Sequence, residues 1–383
     1  MSRLPRLYLT TAEERKWERK LEEQSHRYSE EQKITAATFE HVDEPQPTGR
    51  FKVDDARALV INTVMKATER REFQKECGIL KTKLYEGGSV KQGTAVPGCF
   101  DIDLVLFSKD LKSIDCIKNK GYPETLEKVD EYFEKQFQEK YHCEDKQGVT
   151  VKFTYKLTDD RKITVKLSFS CYWDPGKPEE LFDMLETIDS HEIRELFIPG
   201  TFKMQSDFIK CVDPENHPRG NHRTCQNIHH LIKRAKKWRN KQDWTVHTEH
   251  GDLHGEPGSY LISLLVITAH FHVEEKFGEY GSKTQHFRQY TARVTDEFKR
   301  IVKQIGEKED FGPVPFKAKD SGLKMIREKY SHLLPAPWWL IDPANPANNV
   351  YISGMSGWRK DKGWQEFATK VDNIDLTIDV QQQ

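Results

Sequence analysis

Gly87-Gly88-Ser89, followed twelve residues later by Asp101-Ile102-Asp103-Leu104-Val105-Leu106-Phe107, is the stretch on which the fold of this 383-residue chain turns. In an extended strand, side chains two apart share a face, so Asp101 and Asp103 project together. Four apolar residues follow at once, as in a strand entering a buried sheet. Two carboxylates at the mouth of such a strand present hard oxygen ligands to a divalent metal. The Gly-Gly-Ser segment has little side-chain bulk, so its backbone amides can approach a phosphate closely. Taken singly, Asp-x-Asp and Gly-Gly are common; the weight lies in their order and spacing.

Upstream, Val53, Ala56, Leu59, Val60, Thr63 and Val64 recur at helical spacing, and Leu80 to Tyr85 predicts a strand leading into Gly87. Downstream, Leu126 to Phe137 predicts a helical connector. Residues 149 to 171 carry the clearest β pattern. Val149, Val151, Phe153, Tyr155 and Leu157 alternate with polar residues, and after Thr158 to Lys162 the alternation resumes with Ile163, Val165, Leu167, Phe169 and Cys171. This predicts a hairpin whose polar face carries Lys152, Thr154, Lys156, Thr164, Lys166 and Ser168.

From Glu179 onward the pattern is mainly helical. A helix beginning near Gln226 has Ile228, Leu231, Ile232, Ala235 and Trp238 as its apolar stripe. Its run from Lys233 to Lys241 holds six basic residues and no acid. Such a run is usually a solvated helix face, but Lys233, Lys236, Lys237 and Asn240 fall on one side and suit a triphosphate cleft. Ser259 to His270 predicts an apolar helix for the core. Cys211, His217, His222, Cys225, His229 and His230 are metal-ligand types in no standard zinc spacing, and read as a polar loop.

Thr10 to Gln32 reads as an exposed charged helix, and Glu44-Pro45-Gln46-Pro47-Thr48-Gly49 as a linker, so residues 1–50 form an appended extension. Lys+Arg number 60 against Asp+Glu 61, which argues against a uniformly basic nucleic-acid binder. Seven scattered cysteines without a Cys-x-x-Cys pair, and no long apolar stretch, predict a cytoplasmic chain with reduced thiols and no membrane span.

The glycine turn and Asp strand resemble the signature of the polymerase-β-like nucleotidyltransferases. Further motifs narrow the resemblance to the 2′-5′-oligoadenylate synthetases. Gly87-Gly88-Ser89, Gly93-Thr94 and Gly98 with Asp101 to Val105 resemble that family's active-site stretch. Leu231-Ile232-Lys233-Arg234-Ala235-Lys236-Lys237-Trp238 resembles its basic helix, and Pro257-Gly258-Ser259-Tyr260-Leu261 a helix start. Ile341-Asp342-Pro343-Ala344-Asn345-Pro346-Ala347-Asn348-Asn349 with Gly363-Trp364 resembles its C-terminal element. An early-branching or invertebrate member is the expectation.

The resemblance implies an α+β, bilobal fold. A mixed-sheet nucleotidyltransferase lobe (residues 51–200) faces a helical lobe (201–383). It implies that ATP is joined into 2′-5′-linked oligoadenylates, by attack of a 2′-hydroxyl on the α-phosphorus with loss of pyrophosphate. It further implies Mg²⁺ or Mn²⁺ on Asp101 and Asp103, phosphate at Gly88 and Ser89, nucleotide facing Lys233 and Lys236, and a base near Ser259 and Tyr260. Double-stranded RNA is the family's activator.

Three departures stand out. The family's third metal-binding Asp falls here on Lys166, and no Asp or Glu occurs between Lys162 and Trp173. A protonated lysine cannot ligate a metal. Asp159, Asp160 and Asp174 are the nearest substitutes. Gln92 and Ser206 replace basic RNA-facing residues, and Ser259 replaces a glutamine. Two alternatives therefore stand beside the oligoadenylate synthetase: a catalytically degenerate RNA- or nucleotide-binding relative, and a cyclic-dinucleotide synthase.

Overall fold

The computed structural model describes residues 53–79, 82–96, 101–108, 121–158, 161–171, 179–186, 198–201, 205–206, 209, 222–248, 251–277, 284–307, 329, 341–342, 345–355 and 360–378. The chain divides into two compact units, one of residues 51–380 and one of residues 1–50 with 381–383. The second unit lies outside the described residues, and with it the charged helix and linker expected there.

A five-stranded mixed sheet forms the frame. Its strands are β1 (Thr82–Gly87), β2 (Ile102–Ser108), β3 (Tyr141–Gln147), β4 (Thr150–Thr158) and β5 (Arg161–Cys171), in the order β1-β2-β5-β4-β3. Only β2 and β5 pair in parallel; the other pairs are antiparallel. The alternating residues of 149–171 pair as the predicted hairpin. One face aligns Ile102 with Val165 and Phe153, and Leu104 with Leu167 and Val151; all six are fully buried.

Helices α1 (Val53–Thr68), α2 (Arg71–Cys77) and α4 (Gly121–Phe137) precede and follow the first two strands. An aromatic cluster joins α2 and α4 to the sheet: the Phe133 centroid lies 5.6 Å from Phe153, 5.0 Å from Phe137 and 6.1 Å from Phe73. Burying such rings contributes roughly 2–3 kcal/mol each. The Arg57 guanidinium fastens α1 to β1 by donating from Nε and Nη2 to both Glu86 carboxylate oxygens, each at 2.6 Å. Ala56, Val60, Val64 and Ala67 form the buried stripe of α1. Leu59, expected in that stripe, is 50% exposed, because the stripe follows i+4 steps and Leu59 lies off it.

On the opposite face, Asp103, Lys166 and Lys152 lie side by side in register. Val105, Ser168 and Ser170, farther along the same face, are buried, and the turn Ile198–Thr201 packs against β2 and β5. The face opens at the start of β2.

The rest is largely helical: α5 (Glu179–Glu186), α6 (His222–Arg239), α7 (Ser259–Phe277), α8 (Thr284–Gly306), the short α9 (Val350–Ser353) and α10 (Lys360–Lys370). Every residue of α7 from Leu261 to His270 is buried, as an all-round apolar helix requires. Against an expectation of helices alone, two small hairpins intervene: β6 (Thr245–Thr248) with β7 (Gly251–His254), and β8 (Ile341–Asp342) with β9 (Asn345–Asn349). The fold class is α+β. No helix among the described residues is long and apolar enough to cross a membrane. Cys77 and Cys143 are free thiols.

Candidate nucleotide site

Strand β1 ends at Gly87, directly opposite Asp103. The chain then enters a single helical turn, α3 (Gly88–Lys91), with Gly88 at φ 69°. A Cβ on Gly88 would lie 1.8 Å from Oδ2 of Asp103. The Asp103 carboxylate therefore rests on the Gly88 backbone, and both the positive φ and the contact demand glycine. The turn closes on itself: the amides of Gln92, Gly93 and Thr94 donate to the carbonyls of Gly88 (3.1 Å), Val90 (3.1 Å) and Ser89 (2.9 Å). Its first-turn amides, Ser89 among them, have no acceptor within the helix.

Lys166 is the in-register neighbour of Asp103 on β5. Its Nζ lies 2.6 Å from Oδ2 of Asp101, with the two side chains 42% and 37% exposed. Burial pushes the Asp103 carboxyl up to about 6; Asp101 and Glu86 add to the rise, while Lys166 and Lys236 oppose it. For Lys166, burial pulls downward, but Asp103 and Asp101 outweigh it and hold the ammonium above its ordinary value.

This donor set does not fit a pair of divalent ions. Two carboxylates are present, and the third position is an ammonium already bound to one of them. Among the described residues no group of three or more His, Cys, Asp or Glu side chains could hold a metal. Asp159, Asp160 and Asp174 lie outside the described residues, as do Cys211 and His217 of the Cys/His cluster. His229 of that cluster approaches the carbonyl of Ile209 through Nε2 at 3.4 Å.

The basic helix α6 meets the glycine turn. Lys236 is 2% exposed, and its Nζ donates to Oγ1 of Thr94 at 2.8 Å. Burial lowers its pKa to about 7, aided by Arg239 and Lys233 and opposed by Asp103. Lys233 is half-buried, and burial lowers its pKa as well. Lys237 and Asn240, expected on the same side, are exposed. The third inward cation is Arg239, which the sequence reading passed over although it continues the i, i+3 row of Lys233 and Lys236. Arg239 donates to the Ser259 hydroxyl at 2.9 Å and to the Pro257 carbonyl at 3.2 Å, and pairs with Glu256 at 3.2 Å. It also bears electrostatically on Lys166 and Lys236.

Ser259 and Tyr260 begin α7. The Tyr260 hydroxyl donates to Oδ1 of Asp342 at 2.7 Å. Asp342 is fully buried, and its Oδ2 accepts from Gln205 at 2.7 Å and from Asn348 at 2.8 Å. The C-terminal element thus braces the start of α7 through a buried carboxylate. At Gly354 the backbones meet closely: the Gly258 amide donates to the Gly354 carbonyl at 2.7 Å, and a Cβ on Gly354 would lie 2.9 Å from that of Leu261. Gln92 and Ser206, at the former RNA-facing positions, are 4% and 1% exposed.

No protein-family model matches the sequence, and no curated protein matches it. Among solved structures the chain is similar to CdnC of E. coli MS115-1 in its HORMA-deltaN complex. The identity is 14%, with 88% of this chain and 87% of that one covered, at a TM-score of 0.46. It is also similar to terminal uridylyl transferase 4 from Trypanosoma brucei with bound dUTP, at 12% identity, 85% and 94% coverage, and a TM-score of 0.45. Likenesses of this size leave the chemistry of the site to its own residues.

Proposed function

We propose that this chain is a nucleotidyltransferase-type protein that binds ATP between the glycine turn and the basic row of α6, and joins it into 2′-5′-linked oligoadenylates with release of pyrophosphate. The observation that carries the reading is the closure of Asp103 onto Gly88, with Lys236 reaching the same turn from α6. In this reading, residues 51–200 form one lobe, residues 201–383 the facing lobe, and residues 1–50 an extension. The turn amides and Ser89 take the phosphates, and Lys233, Lys236 and Arg239 offset their charge. Asp101 and Asp103 flank the reacting phosphate. Ser259 and Tyr260 border the base. Because the Tyr260 hydroxyl is committed to Asp342, Tyr260 offers its ring rather than a hydrogen bond.

A second reading is favoured by the 2.6 Å contact of Lys166 with Asp101: a degenerate relative that holds nucleotide without transferring it. The buried Gln92 and Ser206 lend no support to a role for double-stranded RNA. The purified chain, incubated with ATP or ATP plus GTP and Mg²⁺ or Mn²⁺, with and without double-stranded RNA, tests these readings. Pyrophosphate release with 2′-5′ linkages is expected under the first. Cyclic products would identify a cyclic-dinucleotide synthase instead. ATP binding without product would establish the degenerate relative. A chain that binds no ATP would overturn both readings, and Lys236→Met should weaken ATP binding about 10-fold or more.

A further inference from the structure

The Lys166 ammonium stands among the site's carboxylates, where a cation would otherwise have to be recruited from solution. It is 2.6 Å from Asp101 and next in register to Asp103. Its neighbour across β4, Lys152, is engaged elsewhere, with Glu144 at 2.7 Å. The other acids near the site are also partnered: Glu86 with Arg57 at 2.6 Å, and Glu256 with Arg239 at 3.2 Å. Asp101 and Asp103 are therefore faced by Lys166 and Lys236, while Lys233 and Arg239 extend the positive row.

A triphosphate entering a pair of bare carboxylates is repelled, and divalent ions ordinarily remove that repulsion. Here a covalently attached cation already neutralises one carboxylate. An ammonium carries three donors; Asp101 engages one, and the side chain is 42% exposed toward solvent. The remaining donors are available to a phosphate oxygen. The same ammonium repels a divalent ion approaching either carboxylate.

From this arrangement we infer that Lys166 acts as the site's resident counter-cation, so that the chain binds a nucleoside triphosphate without divalent metal. The inference rests on the nucleotide reading above and deepens it. It assigns Lys166 a positive role in binding, where a bare loss of the third carboxylate would leave an impaired metal site.

The test is ATP binding by calorimetry to the full chain, in excess EDTA and then in excess Mg²⁺. The wild-type affinity should differ by less than about threefold between the two conditions. Lys166→Asp should lose about 10-fold or more in EDTA and recover in Mg²⁺; Lys166→Met should lose affinity in EDTA with little recovery. Wild-type binding that vanishes in EDTA and returns with Mg²⁺ would overturn the inference while leaving the nucleotide reading intact. Absence of ATP binding in either condition would overturn the nucleotide reading and this inference with it. Mn²⁺ binding in the absence of nucleotide, followed by electron paramagnetic resonance, gives a separate readout. The wild type should leave the Mn²⁺ signal unchanged and Lys166→Asp should bind the ion; tight Mn²⁺ binding by the wild type would also overturn the inference. Circular dichroism of each variant confirms that a loss of binding is not a loss of fold.

Discussion

Two carboxylates anchor two regions of this molecule, and their surroundings are opposite in kind. Asp342, in the C-terminal element, is fully buried, and Tyr260, Gln205 and Asn348 all donate to it at 2.7–2.8 Å. Asp103, at the mouth of β2, is half-buried and lies against the Gly88 backbone; burial raises its carboxyl to about 6. Neutral donors aimed at a buried charge stabilise it where it sits. Asp103 instead has mobile ammonium groups at longer range and a like charge beside it. The first arrangement stabilises the fold; the second holds a charge at a cost in stability, as binding and catalytic sites do.

The contrast is broken most severely at Asp342. Asp342→Ala leaves three buried donors without an acceptor and separates the C-terminal element from the start of α7. The expected loss is about 4 kcal/mol of unfolding free energy in urea. A loss below about 1 kcal/mol would mean that water replaces the carboxylate and that the element docks by its apolar contacts alone.

At Asp103 the sign should reverse. An acid whose folded pKa is raised destabilises the fold above that pKa, and the penalty disappears below the unfolded value. With a rise from 3.8 to about 6, the wild type should gain stability as the pH falls from 6 toward 4. Asp103→Asn removes the penalty: it should be about 2 kcal/mol more stable than wild type at pH 7 and equal to it near pH 4. Paired urea titrations at the two pH values measure this. Equal stability at both would show that Lys166 and Lys236 fully compensate the buried charge.

The sequence made the first region legible and left the second mostly dark. Gly88, Asp101, Asp103 and Lys166 lie on strands and a turn with period-2 signals, and register alone brings Asp103 and Lys166 together. Asp342 was visible as part of a motif, but its partners Tyr260 and Gln205 lie 82 and 137 residues away, and no local period connects them. The two hairpins in the helical part are four residues per strand or shorter in three of four cases, too short to show alternation. Helical spacing misled twice in one way. A template of i+3 and i+4 steps admits neighbouring rows, so it placed Leu59 in the core and chose Lys237 and Asn240 over Arg239.

The smallest effect tests whether the Asp342 region works as a network or as separate bonds. Ser353 is exposed, and its hydroxyl donates to Oδ1 of Asn348 at 2.6 Å; the same amide donates through Nδ2 to Asp342 at 2.8 Å. The Ser353 hydroxyl thus fixes which end of the Asn348 amide faces the carboxylate. If the bonds are independent, Ser353→Ala costs one solvent-accessible hydrogen bond, about 0.5 kcal/mol or less. If the hydroxyl polarises the amide and holds its orientation, the cost is about 1 kcal/mol. In that case it should fall to nearly nothing when Asn348 is first changed to Ala, which a double-mutant cycle over Ser353 and Asn348 measures directly. Additive losses would leave Asp342 held by three separate donors, with its contrast to Asp103 resting on burial and donor count alone.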